Sequence, residues 1–189
     1  MIAEAERLAD EVGLDRLTLA ALAARLGVRQ PSLYKHIDGL EALRRGLAVR
    51  AKRELAAVLA RAAVGRERGE AIAAIAHAYR AWAHAHPGRY LAAQRAPAAG
   101  DTEDEVASLA VVSVATDVLA GYRLHGDDAI DATRALRAAL HGFIAIEAAG
   151  GFGLPLDVDR SYERLVGALA HALAGWDEAP ATAPAPHSG

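Results

Sequence analysis

The chain has 189 residues, of which 53% are hydrophobic but only 5% are aromatic. Alanine, the strongest helix former, is the commonest apolar residue, whereas the β-branched residues that favour strands are sparse. This composition predicts an all-α protein and argues against a β-sandwich, a β-barrel or a parallel sheet. The chain has no cysteine, which excludes disulfides and thiolate metal sites. Because no apolar run is long enough to cross a bilayer and no signal peptide opens the sequence, we expect a cytoplasmic protein.

The formal net charge of −3 is unevenly distributed along the chain. Residues 1–53 hold ten basic and seven acidic side chains, a net charge of +3, whereas residues 54–189 carry a net charge of −6. A basic N-terminal unit on an acidic body is typical of a DNA-binding segment. On charge alone, a solvated helix surface rich in arginine is an equal alternative.

Apolar residues recur at helical spacing along most of the chain and predict about nine helices, separated by breaks that contain glycine or proline. The clearest segments are residues 2–12, 19–26, 30–37, 40–63, 72–86, 103–124, 128–149 and 158–176. Segment 103–124 is apolar nearly all round, which predicts burial on several sides. Ile130, in the segment that follows, is expected to face inward. Residues 177–189 are rich in proline and alanine, which predicts a disordered tail.

Two short helical segments joined by a glycine, residues 19–26 and 30–37, carry the most informative pattern. Thr18 is suited to cap the first helix, Gly27 to end it in the left-handed conformation, and Ala23 to sit where the helices cross. This spacing is typical of a helix-turn-helix, whose second helix enters the major groove of DNA. The outward side chains could then bind phosphates or base edges: Arg29, Gln30, Ser32, Tyr34, Lys35 and His36. A purely structural helix pair with a polar surface is the alternative.

The same segment resembles a known family. The stretch from Leu17 to Val28, followed by Gln30-Pro31-Ser32-Leu33-Tyr34-Lys35-His36-Ile37, closely resembles the N-terminal domain of TetR-family transcriptional regulators. The resemblance covers residues 1 to about 50. Weaker similarities to the family's C-terminal domains lie at Ala78-Tyr79-Arg80-Ala81-Trp82, His86-Pro87-Gly88 and His141-Gly142-Phe143.

The resemblance implies a homodimer that binds a palindromic operator in double-stranded DNA and is released by a small molecule. It divides the chain into a DNA-binding head (residues 1–50), a connecting fourth helix (residues 40–63) and a ligand-binding and dimerisation body (residues 64–176). The dimer interface would lie on the last two predicted helices, 128–149 and 158–176, for which one more layer of monomer core is the alternative. The DNA-binding residues it implies are Thr18, Arg29, Gln30, Pro31, Ser32, Tyr34, Lys35 and His36.

One position departs from the family pattern. Family members commonly carry a phosphate-binding lysine at the start of the fourth helix, whereas this chain has Leu40 there, with Asp38 and Glu41 beside it. Backbone N–H groups at the helix start can still bind phosphate. Arg44 and Arg45, one turn further on, are the candidates to compensate. We therefore expect a modest affinity for DNA.

A small-molecule site is predicted from aromatic residues with polar tips, because such residues are rare in this chain. Tyr79, Trp82 and His86 recur on one face of the segment at residues 72–86, and residues of other helices are possible neighbours. Apolar walls with a few polar groups are typical of ligand sites. Ordinary core packing is the alternative for each residue. The predicted set is Tyr79, Trp82, His86, Tyr90, Tyr122, Phe143 and Glu147.

The motifs of other protein classes are missing from the sequence. No histidine pair stands beside a carboxylate at metal-ligand spacing, and the chain contains neither G-x-S-x-G nor a phosphate-binding glycine loop after a strand. We therefore predict no metal, no cofactor and no catalytic site. Two alternatives stay open at this stage. One is a helical small-molecule-binding protein or enzyme with a vestigial helix-turn-helix, and the other is a DNA architectural protein that no small molecule releases.

Overall fold

The computed structural model describes residues 1–176, which form nine α-helices, a 3-10 turn at Leu14–Arg16 and no strand. The predicted all-α fold is confirmed. The predicted tail at residues 177–189 lies outside the described residues. Within them, no helix is both long and apolar enough to cross a membrane. The helices are α1 (Ile2–Val12), α2 (Leu19–Leu26), α3 (Gln30–Leu33), α4 (Gly39–Ala63), α5 (Arg68–Ala85), α6 (Pro87–Ala93), α7 (Thr102–Ala120), α8 (Gly126–Ala148) and α9 (Val158–Ala174).

The buried side chains form two clusters. The smaller cluster joins α1, α2, α3 and the first turns of α4, and Leu22, Leu33 and Leu43 are among its most buried members. The larger cluster joins the second half of α4 to α5 through α9. Helix α4 is 25 residues long and contributes to both. A movement of this helix would therefore change the packing of both cores.

Helix α6 packs directly on α1 and makes a second junction between the two cores. Gly88 is so close to α1 that a Cβ atom at this position would lie 2.2 Å from the carbonyl carbon and oxygen of Ala9. Arg89 donates from its backbone N–H to Oδ1 of Asp10 at 2.9 Å and from Nε to Oδ2 at 2.8 Å. The missing side chain of Gly88 thus allows the helices to approach, and Arg89 holds them together.

Two expectations about burial are wrong. Helix α7 is not buried on several sides, because Val106 is 57% exposed and Leu109 is 64% exposed. Ile130 does not face inward, since it is 47% exposed. A helix without a polar face has no periodicity to show which side will pack. Helix α7 in fact packs on α4 and α8 and leaves its opposite side open.

The second helix of the helix-turn-helix is shorter than predicted. Helix α3 ends at Leu33, and residues 34–36 continue as a turn rather than as helix. The backbone N–H groups of His36 and Ile37 both donate to the carbonyl of Leu33, at 2.9 and 3.1 Å. These bonds tighten the chain after one turn of helix, so the outward side chains are presented by a helix followed by a turn.

Candidate DNA-binding and ligand-binding sites

The turn between α2 and α3 forms as its local sequence predicts. The Oγ1 atom of Thr18 accepts a hydrogen bond from the backbone N–H of Ala21 at 3.1 Å, which caps α2. Gly27 adopts φ 67° and ψ 27°, and the N–H of Val28 donates to the carbonyl of Ala23 at 3.0 Å, which closes the helix. The predicted cap and stop are confirmed. The hydroxyl of Thr18 keeps its own proton for donation to an incoming group.

The side chains of α3 and of the turn after it divide sharply between the core and solvent. Leu33 is 3% exposed and anchors α3 against the smaller core, whereas Tyr34 is 54% exposed. Ser32 is half-buried, and its hydroxyl donates to the carbonyl of Arg29 at 2.6 Å, so it supports the start of α3. The remaining predicted DNA-binding residues are all exposed: Thr18, Arg29, Gln30, Pro31, Lys35 and His36.

Most of the basic side chains near the head are already bound within the protein. Six of the eight between residues 25 and 53 form ion pairs in the described part of the chain. Within residues 1–176, the other two, Arg29 and Lys35, have no carboxylate within 4.0 Å. The cationic surface open to DNA is therefore smaller than the charge count predicts. The pairs are Arg25–Glu11, Arg44–Glu41, Arg45–Asp101, Arg50–Glu6, Lys52–Asp104 and Arg53–Glu103.

At the start of α4, Leu40 packs against the core, whereas a lysine at this position would offer a positive charge to DNA. Leu40 is half-buried against the smaller core. Arg45 is directed toward the body, where its Nε and Nη2 atoms donate to the carboxylate of Asp101 at 2.5 Å. These hydrogen bonds lower the pKa of Asp101. Arg44 pairs with Glu41 across 3.3 Å and is the remaining cation of this turn. Compensation by Arg45 would require the loss of these two hydrogen bonds and of a third, to Glu103 at 3.0 Å.

An apolar cavity of about 260 Å³ lies between α4, α5, α7 and α8, with the end of α6 along one side. Its apolar walls include Leu55, Leu59, Ile75, Val111, Leu136 and Leu140. Most of these side chains belong to the larger core, whereas Val112 and Arg137 are exposed, so the cavity lies at the edge of that core and opens to solvent. Apolar walls with a few polar groups, in an otherwise close-packed interior, are typical of small-molecule sites.

The polar groups of the cavity include one buried ion pair. Lys52 is buried, and its Nζ atom lies 2.5 Å from Oδ1 of Asp104, which is buried as well. Gln94 forms a bridge, because its amide donates to the hydroxyl of Tyr79 at 3.2 Å and its oxygen accepts from Arg137 at 3.2 Å. Further polar side chains that line the cavity are Arg95, Ser108 and Thr133.

The predicted ligand-binding residues do not come together in one place. Tyr79 lines the cavity, whereas Tyr90 packs edge-on behind it and hydrogen-bonds to Nδ1 of His141 at 2.6 Å. Burial raises the pKa of the Tyr90 hydroxyl. Trp82 and His86 lie outside the cavity, at the junction between α1, α4 and α6. There Trp82 donates to Glu54 at 3.3 Å, and His86 contacts Arg89.

The other three predicted ligand residues lie farther along the larger core. Phe143 packs against the ring of Tyr162, with centroids 5.0 Å apart. Glu147 is paired with Arg80, and hydrogen bonds from this guanidinium lower the pKa of Glu147. Tyr122 is buried, and burial raises the pKa of its hydroxyl. None of these three side chains lines the cavity.

Sequence reasoning missed several cavity residues because it searched for aromatic side chains. Lys52 could have indicated a polar site in the core, because it stands on the apolar stripe of α4 with Ala48, Leu55 and Leu59. A lysine in such a stripe requires a buried partner, and Asp104 supplies it. Ser108, one turn after Asp104 on α7, lines the same cavity. Asp104 and Ser108, two polar residues one turn apart in a mostly apolar helix, could therefore have indicated that α7 forms a wall of the cavity.

Both the N-terminal and the C-terminal part of the chain match known protein families. Residues 1–45 match the family model described as bacterial regulatory proteins, tetR family, and residues 72–169 match the tetracyclin repressor-like C-terminal domain. The chain is 40% identical over 162 residues to the uncharacterized HTH-type transcriptional regulator Rv0681 of Mycobacterium tuberculosis, covering 85% of this chain and 74% of that protein. It is 38% identical to the uncharacterized regulator YobS of Bacillus subtilis, over 82% of this chain and 80% of that protein.

Solved structures show the same architecture. A protein of unknown function from Rhodococcus sp. RHA1 superposes with a TM-score of 0.75 at 26% identity, over 92% of this chain and 93% of that chain. A TetR variant from Acinetobacter baumannii AYE, in complex with minocycline, superposes with a TM-score of 0.66 at 25% identity, over 94% of each chain.

The exposed helix-turn-helix and these matches define a DNA-binding transcriptional regulator. The chain belongs to the TetR family. Proteins of this family bind operator DNA and act as dimers.

Proposed function

We propose that this protein is a dimeric repressor that leaves its operator when a small molecule enters the cavity of the body. The observation that carries the proposal is the position of α6. Ala93 at the end of this short helix lines the cavity, together with Gln94 and Arg95 directly after it. Gly88 and Arg89 at its start contact α1. A ligand that displaces the end of α6 therefore acts on the head through seven residues of helix.

The proposed release depends on a difference in ligand affinity between two states. A ligand that binds one arrangement of α4 and α6 more tightly will shift the population toward it. The paired heads would then no longer match the spacing of two half-sites on one palindrome. A coupling of about 1–3 kcal/mol would lower operator affinity by about 5–150-fold.

The DNA-binding surface in this proposal is centred on α3 and the turn after it. Gln30 at the exposed start of α3 suits adenine, and Tyr34 projects from its end. Arg29 and Lys35 supply positive charge that no carboxylate within residues 1–176 neutralises. The hydroxyl of Thr18 can donate to a phosphate at the start of α2. Phosphate contacts of this kind make affinity dependent on salt.

Replacing Lys35 with glutamine is expected to weaken binding to the DNA upstream of the protein's own gene. Removing one phosphate contact should reduce the slope of log K against log salt by about 1. The matched control is Arg53→Gln, because Arg53 is exposed but bound to Glu103 at 3.1 Å. Fluorescence anisotropy at a series of salt concentrations measures both slopes. Equal slopes for the parent and Lys35→Gln would remove Lys35 from the DNA-binding surface.

We also propose that the dimer forms through the outer faces of α8 and α9. Both faces carry small exposed residues, and a Cβ placed on Gly142 or Gly167 would meet no atom within 4 Å. Small side chains allow two helices of one protomer to pack closely on the same helices of its partner. The exposed small residues of this face are Ala135, Ala138, Ala145, Gly167, Ala168 and Ala172.

Placing a carboxylate in this face is expected to separate the dimer. In Ala168→Glu, two-fold symmetry would place the new charges of both protomers in the same buried interface, where their desolvation is costly. Light scattering coupled to size-exclusion chromatography should show the mass of one chain, or a mass that rises with concentration. Ala60→Glu, on the exposed side of α4, is the control and should keep the mass of two chains. An unchanged mass for Ala168→Glu would exclude α9 from the interface.

A further inference from the structure

The charges around the cavity do not balance. Three cationic side chains line it, and two of them are neutralised: Lys52 by Asp104 at 2.5 Å, and Arg95 by Glu41 at 3.1 Å. Within residues 1–176, the third, Arg137, has no carboxylate within 4.0 Å and bonds to the neutral oxygen of Gln94. The cavity therefore has one uncompensated positive charge at its wall.

Two hydroxyl groups at the cavity are also unsatisfied. Ser108 and Thr133 line it from α7 and α8, and their hydroxyl oxygens are buried without a hydrogen-bond partner in the described part of the chain. Helical hydroxyls commonly bond back to a carbonyl of the preceding turn, as Ser113 does to Ala110 at 3.0 Å. Buried polar groups without a partner are rare in native proteins. Both hydroxyls are thus available to a guest that brings hydrogen-bond acceptors.

The rest of the wall is apolar and the space is small. The volume of about 260 Å³ lies just below the range of about 300–1,000 Å³ that is usual for ligand pockets. Leucine, isoleucine and valine side chains, together with alanines and Pro97, form most of the wall. A ligand that fills this space is therefore mostly apolar, and one that also pairs with the exposed Arg137 carries a single negative charge, because a second charge would have no free cation at the cavity to pair with.

We propose that the effector is a small apolar monocarboxylate. Its hydrocarbon part packs against Leu55, Ile75 and Leu136, and its carboxylate is bound by Arg137. The planar guanidinium matches a carboxylate with two parallel hydrogen bonds, a geometry that neither an alcohol nor an amine can reproduce. This inference rests on the proposed function and names the chemical class of the molecule that this function requires.

The test compares an acid with the alcohol of the same chain length. Isothermal titration calorimetry measures the binding of octanoate and of 1-octanol to the full-length protein, and a series from six to twelve carbons locates the best length. We expect the best acid to bind at least about ten-fold more tightly than its alcohol, a difference of about 1.4 kcal/mol. The same acid should lower the anisotropy of the complex with upstream DNA.

Arg137→Gln is the decisive variant, and Arg134→Gln is its matched control. Arg134 lies one turn earlier on α8, outside the cavity, and pairs with Asp131 at 3.2 Å. Arg137→Gln should abolish the preference for the acid but leave the binding of the alcohol unchanged. Arg134→Gln should retain the preference. Because both positions are exposed on the same helix, unequal folding is not expected, and circular dichroism checks it.

Four results would overturn the inference. Equal affinity of the parent for acid and alcohol, or a preference that survives in Arg137→Gln, rejects the monocarboxylate and leaves the ligand-responsive repressor standing. A parent that binds no acid and no alcohol in this series rejects the monocarboxylate but not the ligand-responsive repressor, because molecules of other chemical classes can still occupy the cavity. Binding of the acid without release of DNA rejects its role as effector.

Discussion

Replacing Lys52 with methionine is expected to lower the free energy of unfolding by about 3–5 kcal/mol, the largest effect we expect from a single substitution. The side chains of Lys52 and Asp104 are 4% and 2% exposed, and their charged atoms lie 2.5 Å apart. The variant leaves the carboxylate of Asp104 buried without its cation. Burying an unpaired charge costs far more than the loss of one hydrogen bond.

A double substitution separates this cause from the loss of packing. In Lys52→Met with Asp104→Leu, neither charge of the pair remains, and much of the lost stability should return. Urea unfolding followed by circular dichroism measures the parent, both single variants and the double variant. Arg53→Gln, which breaks an exposed pair one residue along the same helix, should leave the unfolding curve nearly unchanged. If Lys52→Met unfolded like Arg53→Gln, the ion pair would have no structural role.

Replacing Gly88 with alanine is expected to destabilise the protein by about 1–3 kcal/mol, because the new methyl group has no space. It would lie 2.2 Å from the carbonyl carbon and oxygen of Ala9 and 2.7 Å from the backbone nitrogen of Asp10. These are backbone atoms of a helix, so they cannot turn aside as the end of a side chain could. Helix α6 must therefore move away from α1, and the hydrogen bonds between Arg89 and Asp10 must lengthen.

Gly69→Ala is the control for the effect of alanine on helix propensity. Gly69 lies in the first turn of α5, where a Cβ would meet its nearest neighbour at an ordinary 3.9 Å. This variant should be neutral or slightly more stable than the parent, since alanine favours helix over glycine. Thermal unfolding compares the stability of the two variants. A Gly88→Ala protein as stable as Gly69→Ala would show that α6 can move away from α1 without a loss of stability.

The helix-turn-helix could be predicted because its determinants are local. The cap at Thr18 and the left-handed Gly27 act on backbone groups within a few residues, so their effect is the same wherever the segment is placed. The inward Leu33 and the outward Tyr34 follow from helical periodicity alone. The length of α3 was less predictable, because the chain leaves the helix at Leu33 although no proline or glycine stops it there.

The cavity could not be predicted because no single segment contains it. Lys52 and Asp104 are 52 residues apart, and Ser108 and Thr133 lie on different helices. Of the aromatic residues predicted to form a pocket, Tyr79 lines the cavity, whereas Trp82 and His86 lie at the junction with α6 and Phe143 packs beside Tyr162. An aromatic side chain packs wherever space allows, so its presence in a helix does not tell which space it fills.

The amino-acid sequence by itself determined most of the helices, though not the short α6 that begins at Pro87, and it determined where the helix-turn-helix lies and how many charges the head carries. Tertiary structure decided which of those charges are available, because an arginine such as Arg45 is neutralised by Asp101 more than fifty residues away. It also decided that Arg137 is left without a carboxylate in residues 1–176. Helix formation depends on neighbours along the chain, whereas the pairing of charges depends on distances that exist only after the helices have packed.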